Sequence, residues 1–197
     1  MKRVILIGDS TMIGSDVSSG YSPFLADELG DSFRITLPLE NCQDTRFTAG
    51  CLDELFEREA IERADVIHWN NGLWDTLHFL GSKRCVVPLE KYVANLDRIY
   101  GMLRGINPTA KIIFATSTPV PECEIRSSTY RLPSDINAYN AAACELLAAK
   151  GVIINDLNLI VSELGDGVWL PDGVHLKDEV SRILAVKVSE AIRGVFI

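Results

Sequence analysis

The amino-acid sequence predicts an α/β fold, a three-layer α/β/α sandwich in which helices cover both faces of a five-stranded parallel sheet. Five short segments rich in β-branched and aromatic residues recur along the chain, and stretches with helical periodicity separate them. Parallel neighbours need long crossover connections, which helices supply while they pack on the sheet. With 197 residues and no linker-like segment, we expect a single domain over residues 1–197.

The predicted strands are short and bounded by polar or turn-forming residues. The first spans residues 4–7, and this apolar run is too short for a signal peptide and lacks a small-residue cleavage pattern after it. The other predicted strands are residues 33–37, 65–70, 111–116 and 152–154.

The predicted helices lie between these strands and after the last one. They span residues 22–29, 52–60, 89–103, 134–150 and 178–193. The third has a clear apolar stripe, with Val93, Leu96, Tyr100 and Leu103 on one face. Residues 116–133 and 156–177 are predicted to be long loops, and α/β folds place their sites in loops beyond the carboxyl ends of the strands.

The composition excludes several classes of protein. A net charge of −8, from 19 Lys and Arg against 27 Asp and Glu, argues against nucleic acid as a partner. No apolar run approaches the roughly 18 residues of a membrane span, so no membrane association is expected. The five cysteines are odd in number and form no CxxC pair, which disfavours a disulfide framework and a structural zinc site. Unpaired thiols favour a reducing compartment, and we predict a cytoplasmic protein.

The first motif with chemical meaning is Gly8-Asp9-Ser10-Thr11, directly after the first predicted strand. A serine at such a strand-to-helix turn stands at the edge of the sheet, where neighbouring backbone N–H groups can face an anion. A helix cap is the competing interpretation, since Asp and Ser are preferred at that position.

The second motif is Asp172-Gly173-Val174-His175, before the last predicted helix. An Asp and a His three residues apart can meet across one turn, with the carboxylate receiving the Nδ1 proton. The Nε2 atom is then free to take a proton from a hydroxyl group, as in a Ser-His-Asp relay. A simple Asp-Gly turn is the competing interpretation.

The two motifs together resemble the SGNH, or GDSL-type, hydrolase family, which carries an N-terminal GDS serine and a C-terminal DxxH pair on a flavodoxin-like sandwich. The resemblance covers nearly the whole chain in motif order, spacing and alternation of elements. It implies that Ser10 is the nucleophile, that His175 is the general base and acid, and that Asp172 orients His175. It implies no metal and no organic cofactor.

This chain departs from both middle motifs that build the oxyanion hole in that family. Where the first of these middle motifs has Gly in the family, this sequence has Gln43, whose backbone N–H can still donate if the local geometry allows it. Where the other middle motif has Asn, this sequence has Trp74, which offers one indole N–H. With Ser10 and Gln43 as two donors, our hypothesis is that Asn70 or Trp74 supplies the third.

The remaining polar residues are given structural interpretations. We expect His68 to be a satisfied sheet residue, His78 to lie at the surface rather than touch substrate, and a metal site built from these two and Asp75 to be absent. Cys42 is not expected to be reactive. For Arg126 and Arg131 the sequence leaves open solvated loop residues or contacts with an acidic substrate.

These observations predict a serine esterase that acts on a small-molecule ester. Acetyl esters of carbohydrates are the favoured substrates. The two middle motifs look like those of family members with small acyl substrates, and the rings of Trp69, Trp74 and Trp169 could pack on a sugar ring. A thioesterase or lysophospholipase of the same family is one alternative, and a non-catalytic binding protein on the same scaffold is another. A nucleotide-binding protein is disfavoured, because no Gly-rich phosphate loop follows the first predicted strand.

Overall fold

A parallel sheet forms the middle layer of the fold in the computed structural model, which describes residues 1–122 and 128–197. Within these residues the strands are β1 (Lys2–Ile7), β2 (Phe33–Thr36), β3 (Val66–Trp69), β4 (His78–Phe79), β5 (Lys111–Ala115), β6 (Thr129–Tyr130) and β7 (Ile153–Asn155). The main sheet has the order β2-β1-β3-β5-β7, and all of its neighbours pair in parallel. The predicted five-stranded parallel sheet is confirmed, and its order is that of the flavodoxin-like sheets.

Helices cover both faces of this sheet. In chain order, the described residues form α1 (Ser10–Ile13), α2 (Ser22–Leu29), α3 (Thr45–Leu55), α4 (Arg58–Glu62), α5 (Leu89–Ile106), α6 (Pro133–Ala148), α7 (Leu157–Glu163) and α8 (Asp178–Gly194). Successive residues of β1 point to opposite faces, so that Ile5 and Ile7 pack in one core with α3 to α6, and Val4 and Leu6 in another with α2, α7 and α8. The three-layer α/β/α sandwich is therefore confirmed.

The helix predicted over residues 52–60 is wrong in both bounds. Its true start lies upstream, where the side chain of Asp44 accepts the N–H groups of Arg46 and Phe47 and caps α3. The helix ends at Leu55 because Phe56 is extended, with φ −139° and ψ 146°.

Two other boundaries also differ from the sequence prediction. The segment 156–177 is not all loop, because Asp156 accepts the N–H of Leu159 and caps α7. The helix predicted over residues 134–150 starts one residue earlier, at Pro133, and ends at Ala148.

A small antiparallel sheet, β4 with β6, lies outside the main sheet. His78 pairs with Tyr130, and Phe79 with Thr129. Sequence periodicity did not predict it, since strands of two residues carry no pattern of their own. In the described part of the chain, no helix has the length and apolar character to cross a membrane.

Candidate active site

The candidate site lies at the carboxyl edge of the main sheet, where the chain leaves β1 and β3. Backbone hydrogen bonds join the neighbouring segments there. The N–H of Asn70, just after β3, donates to the carbonyl of Ile7 at 2.8 Å, and the N–H of Cys42 donates to the carbonyl of Gly8 at 3.1 Å. The segments that follow β1, β2 and β3 are thereby held side by side.

Ser10 is the first residue of the short helix α1. The side chain of Asp9 caps this helix, with Oδ1 accepting the N–H of Thr11 at 2.9 Å. Ser10 is 8% exposed, and first-turn N–H groups have no acceptor within their own helix. Its backbone N–H is therefore positioned to donate to an anion beside the hydroxyl group.

Asp172 and His175 form one tight turn on the loop before α8. Oδ1 of Asp172 accepts the N–H groups of Val174 at 2.8 Å and of His175 at 2.9 Å, and Oδ2 lies 2.6 Å from Nδ1 of His175. The other ring nitrogen, Nε2, lies 2.9 Å from Oγ of Ser10. Two motifs 165 residues apart thus form one continuous chain of hydrogen bonds.

The two carboxyl groups near Ser10 are in different electrostatic environments. Partial burial acts to raise the pKa of Asp172, but hydrogen bonds from His175 and Val174 outweigh it and lower that pKa below its ordinary value. Asp172 therefore remains an anion that can stabilise a charged imidazole. Full burial raises the pKa of Asp9, and its Oδ2 has no hydrogen-bond partner among the described residues.

Gln43 has the backbone conformation that explains why the family has Gly at this position. Its φ is +48°, in the left-handed region that non-glycine residues adopt at some cost. Its N–H donates to Oδ1 of Asn41 at 2.8 Å, and its carbonyl accepts from Nδ2 of Asn71 at 3.0 Å. The backbone geometry is thus allowed, and in this structure the N–H has a protein acceptor.

Asn71 ties this loop to the end of β3. Its Nδ2 also lies 3.0 Å from Oγ1 of Thr48, and its Oδ1 accepts the indole N–H of Trp69 at 2.7 Å. Trp69 is fully buried, with its ring edge-on to Phe114. Of the three tryptophans, Trp69 therefore belongs to the core and offers no face to a ligand.

The two candidates for the third donor differ in what they already bind. Nδ2 of Asn70 donates to the carbonyl of Ala115 at 2.9 Å, which joins the ends of β3 and β5. Trp74 is half-buried and lies outside the hydrophobic core clusters, and its indole N–H has no acceptor among the described residues. The Trp74 donor is thus free, whereas one N–H of Asn70 is in use.

Gly72 allows the third loop to pass close to its neighbours. Its φ is +145°, and a Cβ at this position would lie 2.4 Å from Oγ of Ser117. A side chain at this position would be strained by that φ and would displace the hydroxyl group of Ser117. Glycine is therefore favoured at the turn that precedes Trp74.

Arg131, whose role the sequence left open, lies near the site. Its Nε donates to the carbonyl of Leu73, and burial lowers the pKa of its guanidinium, a shift that the negative charges of Asp9 and Asp172 oppose. Within residues 1–122 and 128–197, no carboxylate lies within ion-pair distance of it. It is half-buried, not a fully solvated loop residue, and this placement was not predictable because Arg131 is remote from both motifs in sequence. Arg126 lies outside the described residues.

The histidines and Asp75 do not form a common metal site in the described part of the chain. His68 is a buried sheet residue whose Nε2 lies 3.2 Å from Nδ2 of Asn155, as expected, and burial lowers its pKa to about 3. His78 is 3% exposed, so the predicted surface position is wrong. Asp75 is buried and accepts hydrogen bonds from the backbone N–H and the hydroxyl group of Thr45.

Cys42 has no sign of nucleophilic activation. It is completely buried, and burial raises the pKa of its thiol to about 12. This agrees with the expectation that it is unreactive. The other cysteines of the described residues, Cys51, Cys85 and Cys144, are free thiols as well.

A Ser–His–Asp hydrogen-bond chain at the carboxyl edge of a five-stranded α/β/α sandwich defines the class of the protein, an ester hydrolase. The sequence profile of the GDSL-like lipase/acylhydrolase family matches residues 6–183, so the chain belongs to that family. The expected family is therefore confirmed.

Relatives and solved structures agree with this family. The chain is 28% identical to the GDSL esterase/lipase CPRD49 of Arabidopsis thaliana, over 97% of this chain and 78% of that protein. The fold is similar to that of a lipase/acylhydrolase from Enterococcus faecalis, with TM-score 0.77, 19% identity and coverage of 98% and 96% of the two chains. It is also similar to the acetyl xylan esterase AlAXEase, with TM-score 0.77, 19% identity and coverage of 96% and 99%.

The environment of Asp75 generates a prediction about stability. Burial raises the pKa of Asp75 to about 7, so between its ordinary value of 3.8 and that value the folded protein holds a proton that the unfolded chain has lost. The wild-type free energy of unfolding should therefore fall as the pH rises through this window, by up to about 4 kcal/mol. In Asp75→Asn the contribution of Asp75 should be lost, so that stability falls less steeply with pH than in the wild type, as measured by urea unfolding across the same window.

The exposed Asp27 provides the control for this experiment. Asp27→Asn should retain the wild-type pH dependence. If Asp75→Asn and the wild type show the same slope of stability against pH, the ionisation of Asp75 does not cause it.

Proposed function

We propose that this protein is a serine esterase that removes small acyl groups, acetyl above all, from carbohydrate esters through a covalent acyl-enzyme on Ser10. The observation that carries the proposal is the 2.9 Å contact between Nε2 of His175 and Oγ of Ser10, with Asp172 bound to the opposite ring nitrogen. A hydroxyl group in this position can lose its proton to the imidazole as it attacks a carbonyl carbon.

The reaction proceeds in two halves. Oγ of Ser10 bonds to the ester carbonyl carbon, its proton passes to Nε2 of His175, and the carbonyl oxygen becomes an oxyanion. The oxyanion collapses, the bond to the leaving alkoxide breaks, and His175 returns the proton to that oxygen. A water molecule then gives a proton to His175 and attacks the acyl carbon. The bond between that carbon and Oγ of Ser10 breaks, and His175 returns the proton to Oγ as the acid leaves. Asp172 holds the imidazole in position and stabilises its charged form in both halves.

Three donors form the oxyanion hole in this proposal. The N–H of Ser10 lies at the first turn of α1, and the N–H of Gln43 exchanges Asn41 for the oxyanion as its acceptor. The indole N–H of Trp74 takes the place of the side-chain amide of the family, a role supported by its lack of an acceptor among the described residues. Donors of this kind stabilise the charge that develops in the transition state.

Acetylated carbohydrate is the substrate class that we favour. The rings of Trp74 and Trp169 are half-buried on segments next to Ser10 and His175, and such rings can pack on sugars. Two proteins of similar fold have names that indicate this substrate class, the acetyl xylan esterase AlAXEase and the carbohydrate acetylesterase Est24 of Sinorhizobium meliloti. The cytoplasmic location inferred from free thiols stays a prediction, as does the single domain.

The proposed function makes three predictions, and the first concerns the nucleophile. A phosphonofluoridate probe should label the folded wild type at Ser10, because the activated Oγ displaces fluoride from phosphorus. Ser10→Ala should not be labelled and should lose essentially all esterase activity. Ser22→Ala, which removes a buried hydroxyl group on α2, is the matched control and should be labelled normally. Peptide mapping of the labelled protein identifies the site, and a folded wild type without label at Ser10 favours a non-catalytic binding protein.

The second prediction separates the two candidates for the third donor. Trp74→Phe keeps one aromatic ring and removes the indole N–H, so it should lower kcat by about 10²-fold while KM changes little. Asn70→Ala should affect chiefly stability, because its amide joins β3 to β5. Steady-state kinetics and thermal unfolding of both variants check this. A large loss of kcat in Asn70→Ala alone transfers the role to Asn70.

The third prediction concerns the acyl group. The value of kcat/KM for p-nitrophenyl acetate should exceed that for p-nitrophenyl octanoate by at least about tenfold, because a long chain gains its binding energy only in a matching apolar groove. Acetylated xylan fragments should release acetate at a rate that falls with Ser10→Ala. A preference for octanoate supports a thioesterase or lysophospholipase instead.

A further inference from the structure

Three potential metal ligands converge next to the small β4–β6 sheet. They are His78 on β4, Cys85 on the loop before α5, and Asp135 in the first turn of α6. Nε2 of His78 lies 2.8 Å from Oδ2 of Asp135 and 3.3 Å from Sγ of Cys85, and the three ligand atoms all lie within 4.8 Å of one another. No metal was expected here from the sequence, because His78 was considered only with His68 and Asp75. Cys85 is seven residues from His78, and Asp135 is 57 residues away.

We propose that His78, Cys85 and Asp135 form a binding site for a divalent transition metal ion, with Zn²⁺ as the best match. Imidazole, thiolate and carboxylate are all ligands of Zn²⁺, and a thiolate selects against Mg²⁺ and Ca²⁺. The inference goes beyond the proposed esterase function and does not depend on it.

The spacing of the ligand atoms suits a tetrahedral ion. Bond lengths of about 2.0 Å to nitrogen and oxygen and about 2.3 Å to sulfur put tetrahedral ligand atoms roughly 3.3–3.6 Å apart. The contacts of 2.8 and 3.3 Å around Nε2 therefore have to open by a few tenths of an ångström. Sγ of Cys85 and Oδ2 of Asp135, which lie within 4.8 Å of one another, have to approach by up to roughly 1.3 Å, a movement that rotation of the two side chains can supply.

Both atoms that approach His78 lie on the same ring nitrogen. A proton relay needs its two partners on opposite nitrogens, as Ser10 and Asp172 are on His175. The cluster therefore does not have the geometry of a Cys-His-Asp nucleophilic triad. Convergence on one nitrogen is what a shared cation requires.

Charge and access also favour an ion at this position. When the metal binds, the Cys85 thiol loses its proton to solvent and the His78 proton moves to Nδ1, so that thiolate and carboxylate balance the two positive charges. His78 is nearly inaccessible, whereas the side chain of Asp135 is 30% exposed. The ion can thus enter past Asp135, and a water molecule can complete the tetrahedron from that side.

The surroundings of His78 set the expected strength of binding. The ring of Tyr130 stacks on the imidazole at 4.8 Å with an angle of 15° and holds its plane. Nδ1 of His78 is buried and has no partner among the described residues. Since loss of an outer hydrogen bond costs about 10–100-fold in affinity, we expect this site to bind more weakly than fully supported zinc sites.

Titration of the metal-free protein with Co²⁺, which replaces Zn²⁺ and reports thiolate ligation by its absorption, tests the site. Wild-type protein in a non-chelating reductant should bind one equivalent with a thiolate-to-cobalt charge-transfer band, and Zn²⁺ should abolish the band by competition. In Cys85→Ser the band should disappear. In Asp135→Asn, which keeps a hydrogen-bond acceptor for His78, the affinity should fall at least about tenfold.

Cys144→Ser provides the matched control, because Cys144 is a half-buried thiol on α6 outside the cluster. It should bind Co²⁺ as the wild type does, and esterase activity and thermal unfolding verify that each variant is folded. The proposal is overturned if the wild type shows no charge-transfer band at saturating Co²⁺, or if the band persists in Cys85→Ser.

Discussion

The site depends on one contact, the hydrogen bond between Nε2 of His175 and Oγ of Ser10, whose residues come from opposite ends of the chain. Neither loop makes this contact by itself. The parallel order β2-β1-β3-β5-β7 places the carboxyl ends of all five strands at one edge. Ser10 lies at this edge because it closely follows β1, an interior strand of the sheet. The bridge between Trp169 and Leu176 then holds the turn of His175 beside it. The core of the sandwich, which is far larger than the site, thereby fixes a distance of 2.9 Å between two side chains.

Polar side chains in the loops convert this approximate placement into a defined geometry. Asp9 caps α1 and fixes the turn that carries Ser10, and Asn71 binds both the Gln43 loop and the indole of Trp69. Because Trp69 packs against Phe114 in the core, the amide of Asn71 adds a second link between the loop that follows β2 and the sheet, beside the bond from the N–H of Cys42 to the carbonyl of Gly8. In the proposed mechanism such contacts limit the movement of the oxyanion donors, which is what electrostatic stabilisation of a transition state requires.

The sequence predicted the sheet, the layers and the two end motifs because their signals are local. Residues 4–7 read as a buried strand, and Asp172 and His175 fit one turn, without any knowledge of the rest of the chain. The failures arose where tertiary contacts decide the outcome. The cap at Asp44 lies upstream of the apolar pattern that defined the predicted helix, and Arg131 reaches the site only through its bond to the carbonyl of Leu73. Asn70, unlike Trp74, is a bound donor because its amide donates to the carbonyl of Ala115, a residue on another strand.

The charges around Ser10 show why Arg131 matters to the balance of the site. Asp9 is buried with one oxygen unpartnered, and Asp172 is held as an anion by His175. In the proposed mechanism Asp172 places negative charge near the oxyanion, and poor screening by water strengthens that repulsion, whereas burial favours the neutral form of Asp9. The guanidinium of Arg131 is the opposite charge in this region, because it donates to the carbonyl of Leu73 and has no ion-pair partner in the described residues. In that mechanism its charge therefore offsets part of the repulsion.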